Sequence, residues 1–280
     1  HQLIEVKEGC ELSGIKETMA RMSYQRFFRR YLHLSGMTGT ASEVAQELWS
    51  VYRLHVMRIP TNRPSRREPR PGRVFRRAAD KWQAVAASAA THKAAGRPVL
   101  IGTRSVRDSA ELSRVFVALG VEHQVLNAIQ DHREAEIVSQ AGEAGLITVA
   151  TNMAGRGTDI RLGGGVAAAG GLHVIGTEPH DSRRIDRQLF GRCGRQGDPG
   201  SYETIYSLED ELVREHLSAY LRALTELIMT RDTPAAQPLV SRLIRFAQWS
   251  AQRKNSSIRR DLLNMDEKLE TSLAFSGRAE

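Results

Sequence analysis

Arginine and glycine are concentrated in two stretches about thirty residues apart, ATNMAGRGTDIR at Ala150–Arg161 and QLFGRCGRQGDPG at Gln188–Gly200. A guanidinium is planar, always charged and able to grip phosphate oxygens bidentately, so both stretches suit an anionic ligand. In the first, Gly155 and Gly157 flank Arg156 and let the backbone approach a ligand closely. Thr158 and Asp159 follow, and the Asp159 carboxylate can hold a ribose hydroxyl, a water or an arginine. A glycine-rich turn after a strand is also common as plain structure. In the second, Gln188, Arg192 and Arg195 stand at i, i+4 and i+7, one face of a helix if the segment is helical. An ordinary solvated face would look the same, except that Gly191, Gly194 and Gly197 each weaken a helix by about 1 kcal/mol. That density predicts a helix end fitted closely to something. Thr38-Gly39-Thr40 adds two hydroxyls in a turn, which serve equally as a helix cap.

The elements that must carry these groups alternate. Asp80–Ala95 reads as an alanine-rich helix, Pro98–Gly102 as a short apolar strand, and Ser105–Leu119 as an amphipathic helix that Ser105 can cap. Further strands are predicted at Glu122–Leu126, Leu146–Ala150, Leu172–Gly176 and Thr204–Leu208, with a helix over Asp181–Arg192 between the last two. Alternation of this kind predicts an α/β fold, a mostly parallel sheet flanked by helices, with ligands at the carboxyl ends of the strands. Upstream, Gly14–Leu34 has helical spacing of aromatic and basic residues, and a second helix starts near Ser42. Pro60–Arg77, rich in proline and arginine, predicts an exposed connector. Beyond Val213 the pattern is helical throughout. Leu239, Leu243, Ile244, Ala247, Ala251, Ile258, Leu262, Met265, Leu269 and Leu273 form the apolar stripe of one long helix, opposite Arg242, Arg245, Arg253, Lys254, Arg259 and Arg260.

Forty Lys plus Arg against 32 Asp plus Glu give a net charge of +8, which favours an acidic partner without naming it. The two cysteines, Cys10 and Cys193, are far apart and form no CxxC, arguing against a disulfide framework and a zinc site; no metal ligand set is expected. No apolar run reaches the roughly 18 residues of a membrane span. No G-x-x-x-x-G-K-[ST] occurs, so the lysine that holds β- and γ-phosphates is absent from these 280 residues. Glu209-Asp210-Glu211 mimics a magnesium-binding box, but acids at a helix N-terminus account for it better.

Met37–Ala41, Pro98–Ser105, Thr148–Ile160 and Gln188–Gly200 resemble, in order, the later motifs of superfamily 2 helicase-type motors. With His1–Gly9, Gly36–Ala41, Pro60–Pro64, Val125–Ala128, Gly170–Glu178 (GGLHVIGTE), Asp181–Asp186 (DSRRID) and Ser207–Leu212 (SLEDEL), the chain closely resembles the SecA family of preprotein translocase ATPases. The resemblance spans nearly the whole chain. It departs where Phe190 and Pro179 replace basic residues, where Cys193 replaces a serine, and in a short link between Gly163 and Gly171. None of these removes a presumed ligand.

The resemblance implies a RecA-like fold followed by a long helical scaffold segment. Residues 1–53 would be the returning end of a first nucleotide-binding domain, 54–230 a second one, and 231–280 the start of the scaffold. ATP would lie between the two domains, touched by Gly155, Arg156, Gly157, Thr158 and Asp159. Gln188, Arg192 and Arg195 would face the phosphates as the catalytic set, the arginines acting as fingers, and Thr38 and Thr40 would belong to a coupling motif. Mg2+ ligands would come from a first domain outside this chain, and these 280 residues alone would be nearly inactive. Implied partners are a SecYEG-type channel, presecretory proteins, acidic phospholipid and a second copy of the chain, with no nucleic acid, at the cytoplasmic face of the membrane. Two other classes fit the same motifs: a nucleic-acid helicase or remodeller, and a non-enzymatic regulatory module on a RecA-like fold.

Overall fold

A computed structural model describes residues 2–9, 22–126, 137–151, 158–230 and 236–275. Helices α1 (Gln2–Lys7), α2 (Tyr24–Phe28) and α3 (Ala45–Tyr52) precede two short strands, β1 (Arg66–Pro69) and β2 (Arg73–Phe75). Helix α4 (Ala78–Ala94) then leads into β3 (Val99–Thr103), α5 (Val106–Ala118), β4 (Gln124–Leu126), β5 (Ile147–Thr151) and β6 (Leu172–Gly176). Helix α6 (Arg183–Phe190), strand β7 (Pro199–Ser207) and helices α7 (Glu211–His216), α8 (Ala219–Thr230) and α9 (Ala236–Phe275) complete the order. Two compact units result: His1–Gly36, Ala45–His55 and Ser257–Glu280 form one, and Met37–Val44 with Val56–Ser256 form the other.

The second unit is built on a sheet of order β1-β7-β6-β3-β5-β4, with β2 also on β7 and every pairing parallel. Its central strands are buried on both faces, as parallel strands covered by crossover helices must be. Along β3, Val99 and Ile101 point into a cluster with Trp82, Val85 and Ala89 of α4 and Leu112 and Phe116 of α5. Leu100 points the other way, toward Leu126, Ala150, Leu172 and Val174. That period of two is what the apolar run at Pro98–Gly102 required. Ser105 caps α5 as expected, its hydroxyl accepting from the Asp108 amide.

Pro60–Arg77 is more than a connector. Within it, β1 pairs with Arg66 opposite Pro199, and β2 with Arg73 opposite Ile205, so the two strands follow one another along β7. An edge strand donates on one side only, which is why proline and arginine are tolerated there and why the segment shows no apolar period. The predicted Thr204–Leu208 strand is correspondingly longer, starting at Pro199. Of the helix expected over Gly14–Leu34, residues 14–21 lie outside the described residues, and the described part is helical only over α2 before the chain turns.

Helix α9 begins at Ala236, so Pro238 sits in its first turn, where a missing N–H costs nothing. Its inward residues in this unit are Ala236, Val240, Ile244, Ala247 and Ala251. Leu239, expected on that stripe, is 44% exposed instead, because the helix starts two residues before Pro238 and Gln237 clips it to β2. The Gln237 amide bonds both the N–H and the C=O of Val74, at 2.9 and 3.0 Å. In the other unit, Ile258, Leu262 and Met265 are exposed, while Arg259 is not a bare polar residue: it grips Glu47 of α3 through Nε at 2.7 Å and Nη2 at 2.9 Å. Among the described residues, no helix is long and apolar enough to cross a membrane.

Candidate functional site

Ala150 and Thr151, the last residues of β5, open into a cavity of about 700 Å³. Sheets of this kind gather ligands at that end of their strands. Helix α6 supplies one wall. It is started by Ser182, whose hydroxyl accepts from the Arg184 amide, and it is seated by Gly102, where a Cβ would stand 2.5 Å from Leu189 Cδ2. Ile185, Arg187, Gln188 and Leu189 then face the cavity.

Arg192 and Arg195 also line it, but not from a helical stripe with Gln188. Helix α6 ends at Phe190, with Gly191 as its cap, and the chain turns back through left-handed Gly194 (φ +62), Gln196 (φ +52) and Gly197 (φ +82). Gly194 packs against the Arg67 backbone, a Cβ there standing 3.2 Å from Arg67 Cα. The glycines therefore end the helix, as their intrinsic cost foretold, and the arginines reach the cavity from a tight loop. Gln196 takes the same left-handed region without glycine's freedom, a backbone strain that marks this loop.

Opposite the loop stand Thr158 and Asp159. Arg192 Nη1 donates to the Thr158 carbonyl at 3.0 Å, and Arg195 Nη1 to Asp159 Oδ1 at 2.5 Å. Arg195 Nε also donates to the Gly191 carbonyl at 3.0 Å, which fixes the direction of the guanidinium. Of the three roles open to Asp159, holding an arginine is the one it fills. Gly155, Arg156 and Gly157 lie outside the described residues. Thr38, Gly39 and Thr40 close another side; the two threonine hydroxyls lie 3.2 Å apart, and the Thr40 amide donates to Thr38 Oγ1 at 3.3 Å.

Sequence reasoning missed Arg67 and Arg187. Arg67 belongs to the segment read as a connector, and its Nε donates to the Cys193 carbonyl at 2.9 Å, bracing the arginine loop against β1. Arg187 forms an ion pair with Glu43, three residues past Thr40, so α6 is joined to the Thr38–Thr40 turn. Arg67 lies in the segment read as a connector and Arg187 between two motif stretches, and only β-pairing and helix phase could have aimed them at the cavity. Four arginines thus line it against one carboxylate, Asp159, among the described residues. Such a lining suits a phosphate chain. It does not suit a magnesium ion, which needs free oxygen ligands.

A second polar cluster lies where α4 crosses β6 and β7. His92 and His173 stack at 3.8 Å between ring centroids with a 29° interplanar angle, and His173 Nε2 stands 3.3 Å from Glu203 Oε1. Ser88 donates to the same Glu203 oxygen, and Arg73 Nη2 approaches Oε2 at 3.2 Å. Two imidazoles sharing a tetrahedral ion would have centroids about 5 Å apart, with converging in-plane lone pairs. These rings are too close and too parallel for that, and Arg97 Nη1 sits 3.4 Å from His92 Nδ1. The cluster is a hydrogen-bonded core. Burial, then His173 and then Arg97 push His92 down to about 4, while hydrogen bonds from His173 and Ser88 and the Arg73 charge hold Glu203 at about 2 against its burial. A histidine depressed in the fold is protonated first in the unfolded chain, so its contribution to stability is lost as pH falls from about 6.5 to about 4. Thermal melts across this interval should show a shallower acid loss for His92→Gln than for the wild type; an unchanged slope would remove His92 from the acid response.

A family model described as the SecA P-loop domain matches residues 64–168 and 164–232, and one described as the SecA DEAD-like domain matches residues 1–49. The chain belongs to the SecA family. It is 51% identical, over its whole length, to protein translocase subunit SecA 2 of Nitrosospira multiformis, and 50% identical over its whole length to the protein of that name from Bordetella avium. It spans 42% of each of these SecA relatives. Among solved structures, the E. coli DEAD-box protein SrmB, crystallised with RraA, is similar at 18% identity over 55% of this chain and 83% of that one, with a TM-score of 0.41.

Proposed function

We propose that this chain is the arginine-finger half of an ATP-driven motor that moves proteins across the bacterial cytoplasmic membrane. The observation that carries the reading is the cavity beside β5, where Arg67, Arg187, Arg192 and Arg195 converge with Gln188, Thr38 and Thr40 in a SecA-family chain. In this reading ATP occupies the cavity. Thr158 and Asp159, with Gly155, Arg156 and Gly157, touch the nucleotide. Gln188, Arg192 and Arg195 face its phosphates, and Thr38 and Thr40 couple the site to its surroundings. Residues 1–53 are the end of a first nucleotide-binding domain, 54–230 the second, and 231–280 the start of the helical scaffold.

In this reading the magnesium ligands come from the partner nucleotide-binding domain, and Asp159 serves to hold Arg195. In this reading the phosphate loop is supplied by a partner nucleotide-binding domain, and the chain alone hydrolyses ATP negligibly. The assembled motor works at the inner face of the membrane as a peripheral protein, with a SecYEG-type channel, presecretory proteins, acidic phospholipid and a second copy of itself as partners, and without nucleic acid.

Calorimetric titration of the 280-residue chain with ADP tests this directly. Saturable binding is expected, weakened several-fold by Arg192→Ala, with no ATP turnover above background. Turnover by the chain alone, or salt-sensitive retention of single-stranded nucleic acid on filters in place of ADP binding, would point to a different class of protein.

A further inference from the structure

Helix α6 presents one face to the cavity and buries the other, and the buried face carries a charge. Asp186, 9% exposed, lies between Ile185 and Arg187, both of which line the cavity. Its Oδ1 accepts from the His180 amide at 3.1 Å and stands 2.5 Å from His180 Nδ1, and its Oδ2 accepts from Gln248 Nε2 at 2.5 Å. Gln248 Nε2 also donates to the His180 carbonyl at 2.8 Å. Gln248 belongs to α9, where among the described residues it is the one buried polar side chain, beside Val240, Ile244, Ala247 and Ala251. An apolar residue would fill this place in the stripe without the desolvation cost of an amide, a cost recovered only because Asp186 and His180 satisfy it. All three residues lie within the same compact unit.

We propose that Asp186 and Gln248 are the positioning pair through which the occupant of the cavity beside β5 sets the order of helix α9. Gln188 stands on the cavity side of α6, two residues from Asp186, and α6 is a single stretch of eight residues, so a ligand that immobilises Gln188 and the following arginine loop also immobilises Asp186. Asp186 passes that constraint to Gln248 through the hydrogen bond at 2.5 Å, and the effect is reciprocal: whatever loosens α9 loosens the cavity wall. The inference rests on the reading of the cavity as a nucleotide site, with ADP as the probe.

The test is amide hydrogen exchange of the 280-residue chain, with and without saturating ADP. In the wild type, ADP is expected to slow exchange of residues 183–190 and of residues 244–252 together, by roughly 5-fold or more. Gln248→Met should keep ADP affinity within about 3-fold, a loss of under 1 kcal/mol, and should keep the slowing in α6, yet abolish it in α9. Without ligand, the same variant should speed exchange in α6. Asp186→Ala, which removes the acceptor from the other end, should abolish the response in α9 in the same way, and combining it with Gln248→Met should cost nothing further; a role in packing alone would make the two losses add. A Gln248→Met protein in which α9 still responds fully to ADP, or whose ligand-free α6 exchanges as in the wild type, overturns the proposal. Absence of ADP binding by the wild type defeats only the nucleotide reading, and the ligand-free exchange of the variants then decides the pair by itself.

Discussion

Arg195→Ala should slow ATP turnover on the order of 10³-fold in a protein that joins residues 1–280 to the phosphate-loop domain of a relative. An arginine finger acts on charge that spreads over the transferred phosphoryl group, so its removal affects the transition state far more than the bound ground state. Arg195 meets the structural requirement for that role. Its Nε is fixed on the Gly191 carbonyl and its Nη1 on Asp159, leaving the guanidinium aimed along the cavity wall rather than free to sample solvent. Because these bonds run to a carbonyl and to a half-exposed carboxylate, little of the fold depends on them. The expected pattern is a collapse of kcat, an ADP affinity within a few-fold of the wild type, and a Tm changed by no more than a few degrees. A loss of kcat under tenfold, with the fold intact, would place the finger elsewhere. Asp159→Asn separates the two roles of that contact: it keeps the side chain's shape and removes the charge that orients Arg195, so it should cost turnover without matching the loss seen for Arg195→Ala.

The candidate site was legible in the sequence as a set of residues and not as a shape. Gln188, Arg192 and Arg195 do line one cavity, together with Thr158, Asp159, Thr38 and Thr40. Helical phase was the wrong reason for it. The same three glycines that argued against an ordinary helix end α6 at Phe190 and reverse the chain, and helical spacing holds no record of a reversal. The Glu43–Arg187 pair and the brace from Arg67 to Cys193 join residues 144 and 126 positions apart in sequence, with nothing local in their surroundings to announce them.

The sheet was easier to read at its centre than at its edge. Strands β3, β5 and β6 are buried on both faces and differ from the predicted bounds by one residue or none. Strands β1 and β2 carry arginine, glutamate and proline, because an edge strand faces solvent and is held by backbone bonds to β7 rather than by side-chain burial. The long terminal helix was legible as a helix, but its inward face was set by Gln237 and Gln248, polar residues that a search for apolar periodicity passes over.

Lys81→Met should destabilise the protein by about 3–5 kcal/mol, because it strips the counter-charge from two buried carboxylates. Lys81 is 1% exposed on α4, its Nζ lies 2.7 Å from Asp210 Oδ1 and 3.5 Å from Glu178 Oε1, and it sits 4.1 Å from the centroid of the Trp82 ring. Asp210 is also engaged by Ser207, through its amide at 2.8 Å and its hydroxyl at 2.6 Å, and it begins α7; the acidic triplet at 209–211 is therefore structural at its centre. Even with Lys81 in place, burial and the neighbouring Asp210 raise Glu178 to about 7. A carboxyl raised in the fold gives its full stability below its unfolded value near 4.5 and loses it as pH rises through about 7. Removing Lys81 extends that loss, so the penalty should be largest near pH 8 and shrink toward pH 5, where the fold keeps the proton on Glu178. At about 2–4 °C per kcal/mol for a unit of this size, Tm should drop by roughly 6–20 °C at pH 8. Lys81→Met with Glu178→Gln should recover part of the drop at pH 8 and little at pH 5. A penalty equal at the two pH values would mean that lost packing against Trp82, rather than the unpaired carboxylates, sets the cost.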